Sequence, residues 1–282
     1  LDIKFVKPSH HYDSYVDYWE LVRLAGFAVC SIPEVKLDSE TVYVLSPMNG
    51  EWEPNILPQV GRAKRKAHII HWLLERPSGC VNVPRAQQMI EYVRSNMQLQ
   101  YDRLVDETWV SDRQLALETG FRFVPVGSDR GLGKPAGRPI GKEYHLAHMS
   151  YVNHRRERLY NRMRAVGCIF APNAWPPHRE QIIHQSMFGL CTHKDEYPYM
   201  EPLRIAVYTS YGMPIIGETV KDAYPLDGDA WETVSYAEMP ERVVDILNGS
   251  HLQKWVDMGK RAQQRMCDDF NFGKVVREAI NV

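Results

Sequence analysis

The chain has 282 residues, 44% of them apolar and 24% charged, the composition of a soluble globular protein long enough for two domains. Its 34 Lys and Arg nearly balance 35 Asp and Glu, so a nucleic-acid or membrane partner would need a local patch rather than whole-chain charge. No apolar run in the sequence approaches the ~20 residues that cross a bilayer.

Five cysteines, Cys30, Cys80, Cys168, Cys191 and Cys267, are scattered with no CxxC pair. That usage predicts free, mostly buried thiols and a cytoplasmic protein. The eleven histidines show no HExxH or comparable spacing. The expectation is a protein with no metal and no cofactor.

Strand and helix signals alternate along the chain. "DIKFV" reads as a strand and "YDSYVDYWELVRLAG" as an amphipathic helix closed by Gly26. "TVYVLSP" and the start of "KAHIIHWLLER" read as strands, and "RAQQMIEYVRSNMQLQ" as a helix. "LVDETWVS" is a strand, "DRQLALETG" a short helix with a glycine at its end, and "FRFVPVG" a further strand. The segment 128–141, "SDRGLGKPAGRPIG", reads as a linker. A second series then opens with the strand "KEYHLAHMS", the helix "NHRRERLYNRMRAVG", the strand "CIFAPN", the helix "PHREQIIHQS" and the strand "MFGLCTH". A helix from Glu201, the strand "MPIIGE", the strand "WETVSY" and helical segments to the C-terminus complete it. This rhythm predicts an α/β fold with two Rossmann-like domains. The expected boundaries are 1–130, 131–268 and a C-terminal helix, 269–282, that crosses back to the first domain. No GxGxxG follows any predicted strand, which argues against a dehydrogenase.

Ligands in open α/β sheets bind beyond the carboxyl ends of the strands. Three loops of the second domain converge there: "MSYVNHRRER", "APNAWPPHRE" and "THKDEYPYME". Arg155 and Arg156 open a helix, where backbone amides and the helix dipole already favour an anion and two guanidiniums suit a diphosphate. They equally suit a solvated basic face with Glu157 as partner. Glu201 begins another helix with Arg204 one turn on. Its carboxylate suits capping, and it also suits the vicinal hydroxyls of a ribose. Tyr197 and Tyr199 offer apolar faces to a sugar or base.

Taken together, "MEPLRIAVYTSYGMPIIGE", "YHLAHMSYVNHRRERLYNRM", "DETWVSDRQLALETGFRFVPVGSD" and "HIIHWLLERPSG" resemble, in order and spacing, segments of the GT-B glycosyltransferases of the retaining, group-1 type (family 4-like) with a compact first domain. The resemblance implies two Rossmann-like domains facing a cleft and metal-independent transfer of a sugar from a nucleoside diphosphate sugar, a UDP-sugar favoured. By that resemblance Glu201 grips the donor ribose, and Arg155 or Arg156 holds the diphosphate. The donor site would be completed by Ser150, Tyr151, Asn173, Tyr197, Tyr199, Met200 and Arg204. Family members often carry an E-x7-E pattern; here His193 stands eight residues before Glu201, and the glycine-rich turn is replaced by "EYPY". Catalysis would then rest on Glu201, Arg155 and His193.

The first domain would face the acceptor through Ser9, His10 and His11, which follow the first strand, and through His71, Glu75 and Arg76. A histidine there reads as a general base or as a turn residue. The basic run "GRAKRKAH" reads as a solvated segment or as a contact for an anionic acceptor, such as hydroxymethylated phage-type DNA. Two rival readings remain: a nucleic-acid-binding module with a vestigial donor site, and a sugar-nucleotide epimerase or phosphorylase on the same scaffold.

Overall fold

The computed structural model describes residues 1–7, 15–45, 66–74, 105–174, 177–194, 198–226, 228–249 and 251–281. The chain divides into two units, Leu1–Val126 with Val276–Val282, and Gly127–Val275. Each is built on a wholly parallel sheet.

The first unit contains β1 (Asp2–Lys7), α1 (Val16–Leu24), β2 (Ala28–Ser31), β3 (Thr41–Leu45), β4 (His68–Leu73), β5 (Glu107–Val110), α2 (Arg113–Thr119) and β6 (Arg122–Phe123). The strand order is β2-β1-β3-β4-β5-β6. All five residues of β3 are buried, as an apolar run in the middle of a parallel sheet requires. The strand β2 has no counterpart in the sequence reading. It is a short edge strand whose apolar Val29 is 44% exposed, and its brief apolar run, Phe27 to Cys30, follows directly on the Gly26 that closes α1. Trp72 is core: its ring meets Trp109 edge-on at 5.6 Å and its Nε1 donates to Val124 O at 3.2 Å. The C-terminal helix α8 (Phe272–Ile280) ends in this unit, where Arg277 donates to Ala25 O and stacks on Phe27.

The second unit contains β7 (Tyr144–His148), α3 (His154–Ala165), α4 (Arg179–Gln185), β8 (Ser186–Cys191), α5 (Pro202–Ser210), β9 (Ile215–Glu218), β10 (Glu232–Val234), α6 (Met239–Asn248) and α7 (Leu252–Gln264). The strand order is β10-β9-β8-β7. The expected strand "CIFAPN" is reduced to one bridge, Leu146 to Phe170. Gly167 in a left-handed conformation precedes it and Pro172, which has no amide proton, follows it, so the ladder cannot lengthen. The stretch expected as a linker is packed rather than loose. Ser128 is fully buried and bonds Ala206 O and the Thr209 hydroxyl, and Ala136 N bonds Tyr211 O.

Cys30, Cys168, Cys191 and Cys267 are free and buried. Among the described residues no helix is long and apolar enough to cross a membrane.

Candidate functional site

In the second unit the chain leaves β7, returns through Phe170 on one side of it, and then adds β8, β9 and β10 on the other. The strand order therefore reverses between β7 and β8. A crevice at the carboxyl ends of the strands is expected at such a reversal. The residues singled out by sequence gather there.

The helix α3 is started by Asn153, whose side chain accepts the Arg156 amide. That start turns Arg156 inward. Arg156 is 3% exposed and uses its fork fully: Nε and Nη2 donate to Thr192 O, Nη1 to Tyr151 O, and Nη2 to Glu201 Oε1 at 2.6 Å. Glu201 sits at the N-terminus of α5, but its carboxylate makes no capping bond. It lies between Arg156 and Arg204, with 26% of the side chain exposed. Arg204 also donates from Nε to Met149 O. Burial alone would lower the Arg204 pKa, but the Glu201 carboxylate outweighs it and the guanidinium is held charged.

Arg155 turns to a second carboxylate. Its two terminal nitrogens bond both oxygens of Glu218, at 2.8 and 2.5 Å, and Nη1 also donates to His193 O. The guanidinium lies 4.1 Å from the ring centre of Tyr236, whose hydroxyl donates to Arg155 O. Glu218 ends β9, is 4% exposed, and accepts the His193 amide at 2.7 Å. The His193 ring is buried, with Nε2 3.1 Å from Thr219 O.

These groups border a small open pocket of about 10 Å³ lined by Cys191, Thr192, His193, Glu201, Glu218, Val220 and Trp231. A Cβ on Gly217 would lie 2.8 Å from the Trp231 ring, so glycine is what lets that indole pack against β9. Burial pushes the Cys191 thiol up to about 12, which leaves it no nucleophile near neutral pH.

The remaining donor-side residues are divided. Ser150 is buried, and Asn173 bridges its amide and carbonyl. Tyr151 is 74% exposed. Tyr199 is buried and faces Lys221, and Met200 packs into the core with Cys191 and Trp231. Neither offers the open apolar face expected for a ligand. Arg156 is likewise corrected: a buried guanidinium holding Thr192, Tyr151 and Glu201 is not open to a diphosphate. On the acceptor side His71 is fully buried in β4, and burial pushes its pKa down to about 3. It is a neutral core residue because β4 is covered on both faces. Ser9, His10, His11, Glu75, Arg76 and Tyr197 lie outside the described residues, as does most of the basic run 61–68. Asp229 pairs with Arg261. Sequence reasoning missed Glu218, Thr192 and Tyr236. Their signal was position at the carboxyl ends of strands: Glu218 ends β9, Thr192 follows β8, and Tyr236 lies two residues beyond β10.

Two parallel α/β units of this kind form the GT-B glycosyltransferase fold. The chain is similar to TarM, with a TM-score of 0.60 and 10% identity over 95% of this chain and 57% of TarM. It is similar to HepE of Anabaena, solved in complex with UDP and glucose, with a TM-score of 0.58 and 11% identity over 100% of this chain and 99% of that one. It is also similar to AviGT4, a glycosyltransferase involved in avilamycin A biosynthesis, with a TM-score of 0.56 and 12% identity over 99% and 96% of the two chains. No family model matches the sequence, and no curated protein does.

Proposed function

We propose that the chain is a glycosyltransferase that holds a nucleoside diphosphate sugar in its second unit and passes the sugar to an acceptor hydroxyl. One observation carries this reading: the uncapped Glu201 carboxylate, fixed between Arg156 and Arg204 at the edge of the pocket and still partly open. A carboxylate has about four acceptor positions, so two guanidiniums leave some of them for a ligand. Here the two guanidiniums fix its orientation, and its exposed part accepts the vicinal hydroxyls of a ribose. Arg156 and Arg204 are thus positioning residues for Glu201.

Breaking a sugar–phosphate bond builds positive charge at the anomeric carbon and negative charge on the departing diphosphate. Preorganised donors stabilise the latter. Arg155, Arg156 and Arg204 against Glu201 and Glu218 make three positive and two negative groups, a net charge of +1 among them. We assign the diphosphate to that surplus and to the amides at the start of α5, with Arg155, 16% exposed, the most open of the three guanidiniums. His193 faces the transferred sugar in this reading, with Ser150, Tyr151, Asn173 and Tyr197 around the donor. A UDP-sugar is favoured because HepE is solved with UDP and with UDP-glucose. Transfer without a divalent cation, retention at the anomeric carbon and a cytoplasmic location belong to the same reading. The four buried free thiols support the last. An anionic acceptor such as modified DNA rests on the basic run 61–68, and a salt-dependent acceptor affinity is its test.

A thermal-shift screen with UDP, GDP, ADP and UDP-sugars, with and without EDTA, tests the donor reading, because a ligand of the native state raises the melting temperature. The expected result is a shift with one nucleotide that survives EDTA. No shift with any nucleotide, alongside a salt-dependent shift with DNA or RNA, contradicts it and supports the binding-module reading.

A further inference from the structure

We propose that Glu218 is the positioning residue that sets the wall of this pocket, by tying the segments that follow β7 and β8 to one buried carboxylate at the end of β9. The inference rests on the donor-site reading for its consequence, but not for its geometry. Glu218 ends β9. It takes both terminal nitrogens of Arg155, from the segment after β7, and the amide of His193, from the segment after β8. Tyr236, from the segment after β10, closes the arrangement: its ring stacks on the Arg155 guanidinium and its hydroxyl binds the Arg155 carbonyl. Glu218 and His193 both line the pocket.

The chemistry favours a fixed arrangement over a loose one. Arg155 and Glu218 are 16% and 4% exposed, so water can replace little of what they give each other. Losing either partner leaves a buried charge unpaired, a change that is strongly unfavourable. The bidentate fork also fixes direction, which a single contact would not. The same carboxylate oxygen that receives Arg155 Nη1 receives the His193 amide, and Nη1 donates in turn to the His193 carbonyl. The peptide groups on both sides of His193 are therefore held by one ion pair. The His193 ring has its own contact, Nε2 lying 3.1 Å from Thr219 O.

Two measurements on the full chain test this. The first is amide hydrogen exchange at His193 without ligand. Glu218→Ala should speed that exchange at least about tenfold while the β8 amides stay protected. Glu218→Gln, whose amide oxygen still accepts the His193 proton, should restore most of the protection. The second is titration with UDP as the probe. Affinity should fall about tenfold in Glu218→Ala and in Arg155→Gln, and no further in the double variant, because groups acting as a unit are not additive. Should Glu218→Ala fail to fold, Arg155→Gln carries the test: it should lose UDP affinity while His193 stays protected. Unchanged His193 exchange in folded Glu218→Ala overturns the proposal, as do losses of affinity that add in the double variant. If the wild-type chain binds no UDP, the donor reading fails for that nucleotide, while the exchange result still decides the role of Glu218.

Discussion

The Glu201 carboxylate and the Arg156 guanidinium meet at 2.6 Å across 45 residues of sequence, joining the first turn of α5 to the first turn of α3. Two helix N-termini that would otherwise each attract an anion are bridged by one ion pair. The carboxylate is taken from its own helix and turned to the pocket.

Arg156→Ala should destabilise the second unit by about 1–3 kcal/mol, the cost of leaving a buried acceptor unsatisfied, since Glu201 keeps Arg204 as its partner. It abandons the Thr192 and Tyr151 carbonyls along with Glu201. Arg156→Lys should recover little of this, since an ammonium cannot serve three separated acceptors as a planar fork does. Chemical denaturation of the three proteins checks both statements.

Gly189→Ala should destabilise by about 1–3 kcal/mol, the usual range for forcing a methyl into a packed core. The added Cβ would stand 2.7 Å from the Tyr208 ring. Tyr208 is fully buried and its hydroxyl bonds Ala147 O beneath the site, so the ring has no open direction in which to yield. The melting temperature of the variant, with and without nucleotide, measures the cost and shows whether it reaches the pocket.

Acid should destabilise the chain before its carboxylates titrate. Burial pushes His148 down to about 4, assisted by Arg204, Arg164 and Arg156, and burial pushes His71 down to about 3. Each takes up a proton more readily when unfolded, near pH 6.5. Their contribution is therefore present above that pH and is lost as the pH falls toward the folded-state values. From pH 6.5 to pH 5 each should remove about 2 kcal/mol. Denaturation at pH 7 and pH 5 should show the loss, and His148→Phe should reduce it, the ring being retained between Tyr160 and Phe170.

The alternation of strands and helices was legible because inner parallel strands are apolar runs and helices carry a period. The edge strand β2 and the single bridge at Phe170 were not, since each is short and half-exposed. Glu201, Arg155 and Arg204 were found from their places at helix starts. Their partnerships were only partly legible. Arg204 lies one turn from Glu201, so spacing alone suggested that contact. Arg155 and Glu218 are 63 positions apart, and no local pattern announces which carboxylate a buried arginine will choose. His71 misled for the reverse reason: a histidine among apolar residues looks functional in sequence, while in β4 it is enclosed by the core.

The most direct test is calorimetric titration of the wild-type chain and Glu201→Gln with UDP. The substitution keeps the side chain's size and removes its charge, and Arg156 and Arg204 retain an oxygen acceptor. The wild-type chain should bind UDP, and Glu201→Gln should bind it about tenfold or more weakly, as befits a charge-assisted bond replaced by a neutral one; its melting temperature without ligand should also fall, because the buried Arg156 and the partly buried Arg204 lose their charged partner. Equal UDP affinity in the two proteins would contradict the role given to Glu201, and with it the donor site.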